Sequence, residues 1–336
     1  MGILTPEDIR DRISGYRISR ILLSSLELDI FTAIGSEGKT TAQIAGLCGT
    51  ASRSTEMLLH ALCALNFLDK KGNLFHNTEV SQRYLDRRSP DYLPGLHHHT
   101  SLWRSWSSLT EAVRKGRMVI WMNGEKADQQ WLGPFISAMH DRARVNAPLV
   151  VANLRLAGMQ KILDLGGGPG TYAMEIVRQN PEITAYVYDL PEVIRLTENY
   201  IADAGLTGKV GTITGNFMQD DLGKDYDLIF LSAIIHSYSP DENRFLIQKC
   251  AGALCSKGMI VIQDFIMEDD RIHPVEGALF AINMLVNTEG GSTYTESEVK
   301  GWLEEAGLCN IQRMEVASRT VQLIGRKAVG SWRENN

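Results

Sequence analysis

From Gln160 onward the chain alternates short apolar strands with helices, and that rhythm restricts the fold more than any other feature of the sequence. Strands are readable at KILDLG (161–166), ITAYVYDL (183–190), KVGTITGNF (209–217), DLIFLSAI (227–234) and GMIVIQDFI (258–266), with helical stretches between them. Strands joined by helices in this way become parallel neighbours with helices on both faces, a doubly wound α/β sheet. Two further strands, near CNIQRMEVA (309–317) and TVQLIGRKA (320–328), follow each other closely enough to add an antiparallel edge hairpin, giving seven strands in all.

The turn after the first of these strands carries the first chemical signal. Asp164-Leu-Gly166-Gly167-Gly168-Pro-Gly170 runs straight into the helical stretch TYAMEIVRQ. Glycines there let the backbone turn tightly and let a ligand approach the helix N-terminus. The dinucleotide spacing G-x-G-x-x-G counted from Gly166 would end on Thr171, so it fails. Asp189, at the end of the second strand, is placed to accept hydrogen bonds from both hydroxyls of a ribose. Asp164 ahead of the glycines would repel a pyrophosphate and welcome an ammonium. The pattern therefore favours a cationic adenosine cofactor over a phosphorylated one.

Composition narrows the setting. At 336 residues the chain exceeds what one typical core supports, so two domains, or one domain with a large appendage, are expected. Hydrophobic residues make up 44% and charged residues 22%, a globular balance. A net charge of -6 disfavours nucleic acid or an anionic membrane surface as partner and fits a small neutral or cationic ligand better. The five cysteines are scattered without CxxC spacing, which points to reduced thiols and away from a zinc site. Glu7 and Asp8 stand where a signal peptide would be basic, and no apolar run is long enough to span a bilayer, so a cytoplasmic location is expected.

Thr5, Pro6 and Asp8 form a helix start, and one helix is expected to run from there to about Phe31. Its apolar residues Ile9, Ile13, Tyr16, Leu22, Leu23 and Leu26 exceed one stripe, which calls for more than one neighbour, a second subunit among the candidates. From Thr40 to Asn77 the pattern helix, turn, helix, two short strands is that of a winged helix. Residues 36–88 hold seven basic against five acidic side chains, too weak a footprint for a groove reader, so a packing role is preferred to DNA binding. Residues 90 to 160 read as helical and rich in Trp103, Trp106, Trp121, Trp131, Phe135, Met118, Met122 and Met139, suited either to plain core or to a pocket for a flat apolar ligand. His97, His98 and His99 have no Cys or Glu at ligand spacing and are read as surface or pocket-edge residues, not as a metal site.

Taken in order, LDLGGGPGTY, YDLPEV, GNF and HSY make the chain resemble the small-molecule O-methyltransferases, the family of the plant caffeic acid, hydroxyindole and bacterial polyketide-tailoring enzymes, from about residue 10 to 328. The resemblance implies a Rossmann-like S-adenosylmethionine domain over 156–330, a winged-helix dimerisation domain over 1–90, and between them, over 91–155, a helical linker lining the acceptor pocket. It implies a homodimer acting without a metal on a hydroxylated small molecule, with no nucleic acid or membrane partner. On the cofactor side it places Gly166, Gly167 and Gly168 against the amino acid part, with Asp164 beside them, Asp189 and Leu190 at the ribose, Asn216 and Phe217 at the adenine, and Ser232 nearby. Asn216 departs from the family's usual aspartate, but its amide oxygen can still accept a hydrogen bond. The segment FISAMHDRA resembles the family's pocket-lining helix, which implies that Phe135 and Met139 touch the acceptor, with Trp103, Asn283 and Met284 on the same side.

His236 ends the fourth strand in this reading, at the mouth of the sheet where ligands of such folds sit, and matches the family's catalytic base. An imidazole of ordinary pKa near 6.5 suits the removal of a hydroxyl proton. Asp264, closing the fifth strand, matches a family acid that orients the ring. Two other family acids are absent, Ser237 following the histidine and Thr293 following Gly290-Gly291-Ser292. Two alternatives stay open: the same cofactor used in a non-methylating hydroxylation or decarboxylation, or a ligand-sensing winged-helix DNA binder.

Overall fold

The computed structural model describes residues 4–120, 131–316 and 320–327. Trp121 and Met122, read above as pocket candidates, lie outside the described residues. Contacts divide the chain into two compact units between Leu102 and Trp103.

The first unit holds α1 (Pro6–Ser14), α2 (Tyr16–Glu27), α3 (Ile30–Ile34), β1 (Lys39–Thr40), α4 (Thr41–Cys48), α5 (Ser52–Ala64), β2 (Leu68–Lys71), β3 (Leu74–Asn77) and α6 (Glu79–Tyr84). The Thr5 hydroxyl accepts the Asp8 N–H and the Asp8 carboxylate reaches back to the Thr5 N–H, so the start of α1 forms as its sequence requires. The single helix expected up to Phe31 is three. A turn at Gly15 separates α1 from α2, and Asp29, in the left-handed region at φ 56°, ends the run before α3. The strands form a small antiparallel sheet in the order β1-β3-β2. Ile30, Phe31, Ile34, Ile44, Leu59, Leu62 and Phe75 are essentially inaccessible and form the core of this unit. The helix–helix–hairpin pattern of a winged helix is present.

The second unit is a helical lead-in followed by the sheet. The lead-in comprises α7 (His98–Trp106), whose first turns precede the division, α8 (Leu109–Lys115) and α9 (Leu132–Asn153). The alternation then runs β4 (Lys161–Leu165), α10 (Thr171–Gln179), β5 (Thr184–Asp189), α11 (Pro191–Asp203), β6 (Val210–Thr214), β7 (Tyr226–Ser232), α12 (Pro240–Ala253) and β8 (Leu254–Asp264). After these come β9 (Ile266–Met267), α13 (Val275–Asn287), β10 (Tyr294–Thr295), α14 (Glu296–Glu305), β11 (Leu308–Glu315) and β12 (Val321–Lys327). The seven-stranded sheet has the order β11-β12-β8-β7-β4-β5-β6. Strands β4 to β8 are parallel, and β12 and β11 add an antiparallel edge pair, as the sequence pattern predicts. Alternate residues of β7 and β8 feed two cores, one on each face: Ile229, Leu231, Ile260 and Ile262 on one side, Leu228, Phe230, Met259 and Val261 on the other. Burial on both faces is why these strands read as unbroken apolar runs.

The order reverses between β4 and β7, where the crossovers diverge to opposite faces of the sheet. A crevice opens at the carboxyl ends of the strands at such a switch point, and Asp189, the glycine turn, His236 and Asp264 all follow or close strands there.

Candidate active site

The glycine turn is held from several directions. The Gly166 N–H donates to the Tyr188 carbonyl at 2.8 Å, and the Thr197 hydroxyl of α11 donates to the Gly168 carbonyl at 2.6 Å. Gly166, Gly168 and Gly170 take φ of 66°, 53° and 72°, left-handed conformations that a side chain would strain. Gly167 is required for a second reason: a Cβ there would lie 2.6 Å from the carboxyl carbon of Asp164.

Asp164 is buried beneath this turn. One of its oxygens accepts the Ala173 N–H at 3.3 Å, while Oδ1 has no hydrogen-bond partner among the described residues. Burial pushes its carboxyl up to about 7, against the Ala173 N–H, with the Asp189 charge adding to the rise. Asp189 closes β5 and binds the turn directly, its Oδ2 accepting the Gly168 N–H at 2.9 Å and its Oδ1 the Leu190 N–H at 2.8 Å. Its carboxyl is also raised, by burial, against those two N–H groups. Leu190 itself is exposed. The sequence-predicted cofactor residues Asp164, Gly166 to Gly168, Asp189 and Leu190 are thus one connected assembly. A buried carboxylate oxygen without a partner, under a cradle that tolerates no side chain, fits a ligand that brings a cation.

Asn216 and Phe217 follow β6. The Asn216 side-chain oxygen accepts the Met218 N–H at 3.0 Å, leaving it one further lone pair. Phe217 is buried edge-on against Tyr188 and Tyr238, and Tyr238 lies two residues beyond His236. Ser232 ends β7, where its hydroxyl accepts from the Gln263 amide at 3.2 Å.

His236 lies beyond the strand that it was read as ending. β7 stops at Ser232, Ala233 turns the chain at φ 60°, and the histidine sits on a short 3-10 turn over Ile235–Ser237. This carries the ring back over the end of β8. Its Nδ1 lies 2.7 Å from Asp264 Oδ1, and both residues are buried. Asp264 also accepts the Phe265 N–H at 2.8 Å and the His236 N–H at 3.4 Å, so the carboxylate is well supplied with donors. With Nδ1 protonated and donating to the carboxylate, Nε2 carries the lone pair, and it has no hydrogen-bond partner among the described residues. A ring held this way can take a proton from a group lodged beside it.

The residues assigned to an acceptor are more scattered. Phe135 and Met139 are half-buried on α9, where Phe135 packs on Trp131, and Trp103 is half-buried on α7. The Asn283 side-chain oxygen is already engaged: it accepts from the Trp106 indole N–H at 2.8 Å and from the Asn287 amide at 3.1 Å. Met284 is buried. Two aromatic residues not singled out in the sequence form the wall beside His236. Phe280 of α13 meets the imidazole edge-on at 4.8 Å, and Phe265 packs on Phe280 at 4.4 Å. Phe265 directly follows Asp264, a position that would have flagged it; Phe280 sits in an apolar helix with nothing to distinguish it. Thr293, in place of a family acid, is buried.

The fold and this site define a Rossmann-like domain with a candidate small-ligand site at its switch point. Comparison with known proteins narrows the class: an O-methyltransferase domain family matches residues 106–309, and an O-methyltransferase dimerisation domain family matches residues 11–87. The chain belongs to the O-methyltransferase family. It is 31% identical, over 93% of its length and 92% of the relative's, to a 3-hydroxy-5-methyl-1-naphthoate 3-O-methyltransferase of Streptomyces sahachiroi. An O-methyltransferase family protein from Burkholderia thailandensis superposes with a TM-score of 0.88 at 29% identity, covering 98% of this chain and 100% of that one. PigF, a Serratia S-adenosyl-L-methionine-dependent methyl transferase whose structure holds SAH, superposes with a TM-score of 0.87 at 25% identity, covering 96% and 100%.

Proposed function

We propose that this enzyme transfers a methyl group from S-adenosylmethionine to a hydroxyl of a small aromatic or polycyclic molecule, with His236 taking the hydroxyl proton. The observation that carries the proposal is the buried 2.7 Å contact between His236 Nδ1 and Asp264 Oδ1, which leaves Nε2 without a hydrogen-bond partner among the described residues. Family membership supports methyl transfer to oxygen, the naphthoate-methylating relative supports an aromatic acceptor, and PigF with SAH supports the cofactor.

When bound, S-adenosylmethionine supplies a methyl group made electrophilic by a positively charged sulfur. In this reading Asp164 would compensate its ammonium, and the backbone of Gly166 to Gly168 would hold its amino acid part. Asp189 and Leu190 hold the ribose, Asn216 and Phe217 the adenine, and Ser232 closes that side. Phe135, Met139, Trp103, Asn283 and Met284 line the acceptor side, joined by Phe265 and Phe280. As the hydroxyl oxygen attacks, His236 Nε2 accepts its proton, and Asp264 stabilises the imidazolium that forms. Proton removal of this kind contributes on the order of 10²- to 10⁴-fold; alignment of the reacting atoms in a site closed to water supplies more. The first unit serves as the dimerisation module of a homodimer.

The test is product analysis with methyl-labelled S-adenosylmethionine and a panel of hydroxylated naphthalenes and phenols. A labelled aryl methyl ether, formed together with S-adenosylhomocysteine, is the expected result. A hydroxylated or decarboxylated product with the cofactor intact overturns methyl transfer.

A further inference from the structure

Arg142 lies on α9 in the segment FISAMHDRA, one turn beyond Met139, and its side chain is exposed. Its guanidinium stands 5.1 Å over the ring of Phe265. That ring is itself buried and packs at 4.4 Å on Phe280, which meets the His236 imidazole. A continuous row thus runs from the candidate base through two aromatic rings to a cation. Among the described residues Arg142 has no ion pair, and the neighbouring acid, Asp141, is turned to Arg144 at 3.5 Å. A guanidinium held over a fixed ring is localised there, and its N–H donors suit a carboxylate.

The protein as a whole carries a net charge of -6, so an anion enters its cleft favourably only where a local cation compensates. Building on the methyl-transfer reading, we infer that the acceptor carries a carboxylate as well as the reacting hydroxyl, and that Arg142 grips this carboxylate and sets the enzyme's preference for aromatic hydroxy acids. A carboxylate reaches this cleft from one other source, the amino acid end of the cofactor. Arg142's charge is also felt at Tyr172, next to the glycine turn, where it opposes the rise that burial gives the tyrosine hydroxyl. Its position over Phe265, beside Asp264, favours the acceptor.

The test uses 3-hydroxy-1-naphthoate and 2-naphthol, which differ by that one carboxylate. Calorimetry on the complex with S-adenosylhomocysteine reads the preference without turnover, and kcat/KM with S-adenosylmethionine reads it during reaction. The wild-type enzyme is expected to favour the acid at least tenfold. Arg142→Met is expected to abolish that preference through KM, Arg142→Lys to restore part of it, and the Kd for S-adenosylhomocysteine in Arg142→Met to stay within about twofold of wild type. No preference in the wild type, or an equal loss for both compounds in Arg142→Met, overturns the inference. A tenfold weaker hold on S-adenosylhomocysteine overturns it too, by assigning Arg142 to the cofactor. Preferential acid binding without methylation of either compound supports Arg142's role and counts against the reaction proposed above.

Discussion

Asp164 shows how one residue combines a cost with a use. Its carboxyl is raised to about 7 by burial, whereas in an unfolded chain it stays near the ordinary 3.8. Between those values the unfolded chain binds fewer protons than the folded one. This group's contribution to stability is therefore complete below about pH 4 and is lost as pH rises toward 7. Thermal melts of the ligand-free protein should show that loss, and Asp164→Asn should remove its share of the slope. Affinity for S-adenosylhomocysteine should move the opposite way, because only the ionised carboxylate pairs with an ammonium. It should rise on the order of tenfold from pH 6 to pH 8 in calorimetry, and Asp164→Asn should flatten the profile. Asp264 acts through another residue, so its neutral isostere is the informative change. Asp264→Asn should lower kcat by on the order of 10- to 100-fold with the Kd for S-adenosylhomocysteine unchanged. An unaltered kcat would reduce Asp264 to a structural role. Both acids were legible because each closes or precedes a recognisable strand end. Phe280 and Arg142 were not: their contacts with His236 and Phe265 join positions far apart in the chain, Phe280 stands in an ordinary apolar helix, and the FISAMHDRA resemblance pointed to Phe135 and Met139 without marking Arg142.

At the scale of elements, the parallel strands were the most legible part of the molecule. The central ones, β4, β7 and β8, are buried on both faces and bounded by glycine or polar turns, so period and length agree. The first helix was the least legible, since its break at Asp29 depends on one left-handed residue in an otherwise helical pattern. The 3-10 turn that carries His236 was equally hidden, because the strand's apolar run continues past Ser232 into Ala233, Ile234 and Ile235. That turn is backed by the loop before β10, where a Cβ on Gly291 would collide with the His236 carbonyl oxygen. Gly291→Ala should displace the turn and lower kcat by on the order of 100-fold, as small misplacements of a reacting group do, while calorimetry finds S-adenosylhomocysteine bound as before. Gly167→Ala should do the reverse, abolishing cofactor binding by pushing against Asp164.

On the scale of the whole molecule, the proposed function divides the labour between the two units. The first carries on α1 and α2 an exposed apolar set, Ile9, Ile13, Tyr16 and Ile18, with Ile13 70% exposed, inside or beside the stretch that matches the dimerisation family. A row of this kind invites a second copy, and Ile13→Glu should convert a dimer to a monomer in light scattering without unfolding either unit. Among the described residues no helix is long and apolar enough to cross a membrane. The second unit holds both halves of the proposed chemistry, the glycine cradle over Asp164 and the His236–Asp264 pair, at the carboxyl edge of one sheet. The most direct test of this account is a single-turnover measurement of label passing from methyl-labelled S-adenosylmethionine to a hydroxylated naphthalene, with wild-type protein and with His236→Ala. The account predicts transfer to oxygen that slows at least a hundredfold in the variant, with S-adenosylhomocysteine bound equally well by both. Equal transfer rates in the two proteins would contradict it.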